Sequence, residues 1–382
     1  MTATATVRFL SPEEIAARPP GAVQFFQWPT RETVFAERAM RLRQLAGGHP
    51  LGDFLGFMAL VADAQQQALD RLATAAPVPL PDKAALDRAA LDGVAPLDAE
   101  TWPRDPAWRA VLQQLVAGLQ AQAPAGARDV LDRLAGAEPG WLETQADRLL
   151  GGAAAGLDVG TAPLIGAALQ VWWLHLVDTT RSAAAADGAP FGRIGDATVC
   201  PCCASRPTAS ITRSSGESLG QRYLACSLCA TQWHMVRIQC ARCQSTRNVA
   251  YQALDAAGGN DGSEPGSGGG GSDGSGDGDG DGSGDGSGDG SGIDSRDSSR
   301  LDGAASSRAA HAVIQAETCD DCRHYLKIMH RDRDAFVDPV ADDLASITLD
   351  MLVSETGLHR HGVNLMLQFG EPPPERPPPG AG

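Results

Sequence analysis

Eight of the nine cysteines in this chain of 382 residues fall into four C-x-x-C pairs: Cys200/Cys203, Cys226/Cys229, Cys240/Cys243 and Cys319/Cys322. Two thiolates at that spacing sit on one tight turn and can grip a single tetrahedral ion. A second pair from elsewhere closes the site, so four pairs predict two tetrathiolate metal sites with these eight cysteines as ligands. Iron and zinc both accept four thiolates in a tetrahedron, and the residue types do not choose between them. The pairs can combine in three ways. Sequential pairing (200/203 with 226/229, 240/243 with 319/322) gives each site its own hairpin and is favoured; interleaved and nested pairings stay open. Cys202, inside the first pair, is read as an unligated thiol, with an alternative ligand or redox role as the sharper option.

Several neighbours bear on those sites. A glycine usually follows the second cysteine of such a knuckle, because the backbone there turns left-handed. Here the followers are Ala204, Ala230, Gln244 and Arg323. Each left-handed non-glycine costs about 1–2 kcal/mol, against roughly 10–16 kcal/mol for structural zinc binding, so the sites are expected to survive. His234 would be a surplus ligand and is assigned a packing or hydrogen-bonding role. Arg237, Arg242 and Arg323 lie near the expected thiolate clusters, whose negative charge they would stabilise.

The elements that must position these residues change character near residue 196. Upstream the pattern is helical. Apolar positions Val34, Phe35, Leu42 and Leu45 share one face, and Leu51, Phe54, Leu55, Met58, Val61, Leu69 and Leu72 recur at three- and four-residue steps. Trp108, Val111, Leu112, Leu115, Val116 and Leu119 follow Asp105-Pro106, an N-cap and N1 proline. Trp141, Leu142, Gln145 and Leu149 mark a shorter helix, and Thr161 is expected to cap one bearing Leu164, Ile165, Leu169, Trp172, Trp173 and Leu176. Pro/Gly-rich joints are expected at 77–81 and 124–126. Nothing in this half forms a catalytic constellation. Downstream, short strands are expected at Tyr223–Ala225, Gln232–Ile238, Asn248–Tyr251 and Ala312–Ala316, each associated with a knuckle. Asp338-Pro339 starts a last helix with Val340, Leu344, Ile347 and Met351 on one face and Gly357 as its stop.

The formal net charge is −16. Residues 256–308 hold eleven acidic and three basic side chains, whereas 196–255 and 309–337 together hold ten basic and eight acidic. That is no basic stripe, so a nucleic-acid partner is not expected. The N-terminus has no apolar signal core, and clustered C-x-x-C pairs without one suit metal ligation in a reducing cytoplasm. Val159 to Val177 is apolar, but Thr161, Pro163, Gln170 and His175 interrupt it; a buried helix is expected rather than membrane insertion. Residues 256–308, almost wholly Gly, Ser and Asp, are expected to be disordered and tolerated as an insertion at a hairpin tip. Within them, Asp277 to Gly282 copies the start of an EF-hand loop but has Gly288 where the bidentate Glu belongs. Gly270 to Gly274 matches G-x-S-x-G by letters alone.

Four runs carry a resemblance: Cys200–Pro207, Arg222–Arg237, Cys240–Cys243 and Glu317–Lys327, with Ala341–Asp350 and Gly362–Asn364 behind them. Together they resemble the formate dehydrogenase accessory protein family, FdhE. The chain departs from the family pattern by its acidic insertion, by Cys202 and by Ala204 in place of glycine, and none of these removes a ligand. The resemblance implies an α+β fold: a helical domain (1–195), a first rubredoxin-like module (196–238), a second with the insertion (239–332), a C-terminal helix and strand (333–370), and a flexible tail (371–382). It implies two metal ions, iron in the family with zinc as the alternative, each in a four-cysteine site. It also implies a cytoplasmic assembly factor rather than an enzyme, one that contacts the molybdenum- or tungsten-bearing catalytic subunit of respiratory formate dehydrogenase and leaves homo-oligomerisation open. Two rivals are a redox-active iron protein and a zinc-ribbon protein that binds nucleic acid.

Overall fold

The computed structural model describes residues 23–73, 78–184, 189–213, 220–253 and 312–367. The insertion 256–308, the two look-alike motifs within it and the tail 371–382 lie outside them, as does residue 77 of the first expected joint. The architecture is α+β. Helices α1 (Val34–Ala46), α2 (Gly52–Leu72), α3 (Lys83–Asp92), α4 (Trp108–Leu119), α5 (Ala125–Ala135), α6 (Pro139–Leu150) and α7 (Ala162–Ala183) form the first half. Their apolar faces close one core, with α7 at its centre. The expected joint at 124–126 instead opens α5, with Pro124 in extended backbone just before its first residue.

The polar breaks in the apolar run of α7 have structural causes. Gln170 is buried and accepts from Gln65 Nε2 at 3.0 Å and from Arg38 at 3.4 Å, while its own amide donates to the Ser227 carbonyl at 2.8 Å. One side chain thereby ties α1, α2 and α7 to the second knuckle. Among the described residues no helix is long and apolar enough to cross a membrane. Thr161 does not cap α7 with its side chain. The neighbouring Asp158 does the capping work, its Oδ1 accepting the Gly160 and Thr161 amides, both at 3.1 Å.

Strands β1 (Phe26–Gln27), β2 (Pro207–Thr212), β3 (Arg222–Cys226), β4 (Gln232–His234), β5 (Val249–Gln252), β6 (Ile314–Cys319), β7 (His324–His330) and β8 (His359–Arg360) join one sheet. Its order is β1-β4-β3-β2-β7-β6-β5, with β8 beside β7. The chain runs knuckle, β2, β3, knuckle, β4, and then repeats this as knuckle, β5, β6, knuckle, β7. The two repeats meet where β2 pairs β7 in parallel, Ser210 opposite Ile328. β1 carries the helical half onto the sheet, Phe26 opposite Trp233.

Two expectations change here. The strand expected over 232–238 stops at His234, and Val236 and Ile238 are 52% and 62% exposed. The guanidinium of buried Arg222 takes the Val236 and Gln239 carbonyls at 3.2 and 2.6 Å, turning the chain into the third knuckle. The single C-terminal helix is two short ones, α8 (Ala341–Ala345) and α9 (Ile347–Glu355). Lys327 Nζ donates to the Asp343 and Ser346 carbonyls at 2.9 and 3.2 Å, drawing them out of a continuous helix. The axis shifts, so Leu349 and Val353 are buried while Met351 is 61% exposed. Asp338 does cap the start, accepting the Val340 and Ala341 amides at 3.0 and 2.8 Å, and Gly357 adopts the expected φ of 74°.

Candidate metal centres

The knuckles share one local design. Cys200 N donates to the Ser205 carbonyl at 2.9 Å and Ala204 N returns to the Cys200 carbonyl at 2.8 Å; Cys240, Gln244 and Ser245 repeat this at 2.8 and 3.1 Å. Closing so tight a loop forces the residue after each second cysteine into left-handed backbone. Ala204, Ala230, Gln244 and Arg323 have φ of 57°, 59°, 60° and 56°. Four strained non-glycine residues at equivalent places persist only where something overdetermines the turn.

The thiols converge in sequential pairs. Cys200, Cys203, Cys226 and Cys229 form one cluster and Cys240, Cys243, Cys319 and Cys322 the other, with all sulfurs of a cluster within 4.8 Å of one another. Cys202 and His234 belong to neither. In the first cluster Sγ pairs lie at 3.4 Å (203–226) and 3.6 Å (200–229 and 203–229); in the second, at 3.8 Å (240–322) and 3.7 Å (243–319). Zn–S bonds of about 2.3 Å in a regular tetrahedron put sulfurs about 3.8 Å apart, so these edges fit an ion at the centre. They are far too long for disulfides, whose sulfurs lie about 2.05 Å apart, and all nine cysteines are free.

Electrostatics supports the same fit. Burial pushes the Cys200 and Cys226 thiols up, and pushes Cys240 up to about 12. Burial also opposes ionisation of Cys229, but its neighbouring thiols together hold it below the ordinary value. At Cys243 burial raises the thiol, but the Ser245 amide and the other three thiols together outweigh it and hold it below the ordinary value. In each cluster one thiol is held below its ordinary value while burial raises at least one other, which is the situation a divalent cation relieves by displacing protons. Amide donors face the sulfurs: Leu228 N and Cys229 N reach Cys226 Sγ at 3.3 and 3.4 Å, Cys202 N reaches Cys200 Sγ at 3.5 Å, and Arg242 N reaches Cys240 Sγ at 3.4 Å.

The surroundings differ. All four sulfur residues of the first cluster are buried, in the same core as the helices. Leu97 N and Ala99 N donate to the Cys202 and Cys203 carbonyls, both at 3.0 Å. A cavity of about 680 Å³ opens beside it, lined by Cys203 together with Ala204, Arg206 and Ser227, although Cys203 itself is fully buried. In the second cluster Cys243 is exposed and Cys322 partly buried. Of the arginines singled out, Arg323 pairs with Asp320 at 3.2 Å and donates to the Thr356 carbonyl at 3.0 Å. Arg237 offers its carbonyl to the Tyr251 hydroxyl at 3.3 Å. His234 packs edge-on to Tyr223, ring centroids 5.7 Å apart, as a packing residue.

Sequence reasoning missed the buried charges that tie β7 and β8 to α8 and α9. Lys327 lies 3.0 Å from Asp343 and 2.6 Å from Asp350, and Arg360 lies 2.6 and 2.9 Å from the same two carboxylates. Burial would raise Asp343, but Arg360, Lys327 and the Asn364 amide hold it below the ordinary carboxylate value. Between the repeats, Arg222 meets Glu317 at 2.7 Å with both side chains buried. Burial pushes Glu317 up to about 7 against the pull of that guanidinium.

A helical bundle sewn to one sheet that carries two tetrathiol clusters defines a class: an α+β protein with paired rubredoxin-like knuckles. Family profiles described as FdhE match at three places, the N-terminal over residues 23–188, the central domain over 199–237 and the C-terminal domain over 297–367. The Protein FdhE homolog of Edwardsiella ictaluri is 33% identical over 344 residues, covering 90% of this chain and 91% of that protein. The Protein FdhE homolog of Pseudomonas aeruginosa is 34% identical over 342 residues, covering 90% and 92%. The crystal structure of the FdhE protein from Pseudomonas aeruginosa superposes with a TM-score of 0.69 at 33% identity, covering 91% of this chain and all of that one. The chain belongs to the FdhE family.

Proposed function

We propose that this chain is an accessory factor for the maturation of formate dehydrogenase, acting in the cytoplasm by binding rather than by catalysis. Its eight paired cysteines hold two metal ions, iron or zinc, and the rigid sheet so formed docks the unfinished catalytic subunit. Membership of the FdhE family supports the accessory role. The observation that carries the binding part is the convergence of eight free thiols into two clusters at tetrahedral spacing. Such clusters make a small sheet rigid without a large core of its own.

The test is capture of the formate dehydrogenase catalytic subunit by the full chain, alongside elemental analysis of protein purified without oxygen. Wild type carries two ions and retains the subunit. Cys226→Ala loses one ion and the subunit with it. Retention of both ions and of wild-type capture by Cys226→Ala would end this reading. The exposure of Cys243 favours a second reading, in which iron in the second cluster carries electrons during maturation. A colourless protein with stoichiometric zinc counts against that alternative.

A further inference from the structure

The two clusters are reached differently from solvent. Arg242, Cys243, Gln244, Thr246, Arg247 and Asn248 are all exposed, a run with no counterpart at the first knuckle, where residues 201–203 are buried. Cys240 and Cys319 are buried. Cys322 is half-buried, and the residue after it is pinned to the chain leading into β8: His359 N donates to the Arg323 carbonyl at 2.9 Å and Arg323 reaches the Thr356 carbonyl. The Cys243 side is held from outside by Asp321, whose carboxylate accepts from the Ser245 hydroxyl and, at 2.8 Å, from the Asn248 amide. Exposed Arg242, next in the chain to Cys243, adds positive charge there and has no carboxylate at ion-pair distance among the described residues.

We propose that Cys243 is the displaceable ligand of the second centre, and that an anionic thiol reaches the ion there by taking its place. This rests on the reading of the clusters as metal-bound. A thiol suits an ion already held by soft sulfur ligands, and an anionic one is drawn by Arg242. In the exchange one sulfur–ion bond forms as the bond to Cys243 breaks. The proton of the incoming thiol passes to Cys243, and no electron changes hands. The first centre offers no exposed sulfur residue to displace: its four cysteines are all buried, Cys203 included where it borders the cavity.

The test uses the full chain carrying a counted two zinc ions, with mercaptosuccinate as the probe and a zinc indicator as the readout. One equivalent leaves fast, and the other on the order of a hundredfold more slowly, because its release requires local opening of the core. Maleimide alkylation mapped by mass spectrometry marks Cys243 before Cys200, Cys203, Cys226 or Cys229. Arg242→Glu slows release by mercaptosuccinate on the order of tenfold and leaves release by neutral mercaptoethanol unchanged. Two ions leaving at one rate, or alkylation starting in the first cluster, overturns the displaceable ligand. An equal response of Arg242→Glu to both thiols overturns the anionic class. Fewer than two zinc ions per chain instead overturns the metal reading beneath it.

Discussion

The two clusters use the same turn, the same spacing and the same left-handed follower, yet one is sealed and the other is open. The contrast is sharpest inside their second knuckles. Leu228 of the first is buried against the helices; its counterpart Asp321 in the second is exposed and clasps Ser245 and Asn248. The first cluster is thus enclosed by hydrocarbon shared with α7, the second by carboxylates and guanidinium groups at its edges. What a tetrathiol site does is decided by its surroundings more than by its four ligands.

Replacing Leu228 with aspartate should have the largest effect. It places an unpaired carboxylate in the shared core and should cost at least about 3 kcal/mol. Denaturant unfolding followed by circular dichroism reads the loss, and a near-neutral result would mean that the first cluster does not depend on its hydrocarbon cover. Asp343→Ala comes next. It strands Lys327 and Arg360 beside one remaining carboxylate and should cost about 3–5 kcal/mol. Hydrogen exchange should rise in β7 and α8 while α7 keeps its protection; equal loss in both halves would erase the distinction drawn here.

A third test uses acid. Burial, chiefly, pushes His175 in α7 and His330 in β7 down to about 4, so both are neutral in the folded chain. Their ordinary value is about 6.5. The unfolded chain therefore binds more protons between those values, and stability falls as pH drops from about 6.5 towards 4. Melting temperatures at pH 7 and pH 5 should differ by less in His175→Gln and in His330→Gln, one variant reporting each half. The smallest effect is expected from Asp321→Leu, with the melting temperature unchanged and faster zinc loss from the second centre as its visible consequence.

The cysteine clusters were legible because two cysteines with two residues between them are a local signal, and sequential closure gives each cluster its own hairpin, the second one carrying the insertion. The helices were legible where one apolar stripe faces one core, as in α2 and α4. Other features depend on partners far along the chain. β2 (PTASIT) alternates small polar and apolar residues but is buried along its whole length between two neighbours, so its polar positions do not mark a solvent face. β1 exists because β4 lies beside it, some two hundred residues later. Asp343 looks like an ordinary first-turn acid until Lys327 and Arg360 are brought against it, and the same lysine breaks the helix that Val340 to Met351 seemed to promise.

The parallel seam between β2 and β7 has a consequence for how the chain is made. The first strand of the earlier repeat waits for the last strand of the later one, so its outer hydrogen-bonding groups stay unmatched until more than a hundred further residues have left the ribosome. During that interval the nascent protein presents a bare β edge, and it is there that a holdase or a stray neighbouring strand would find its footing.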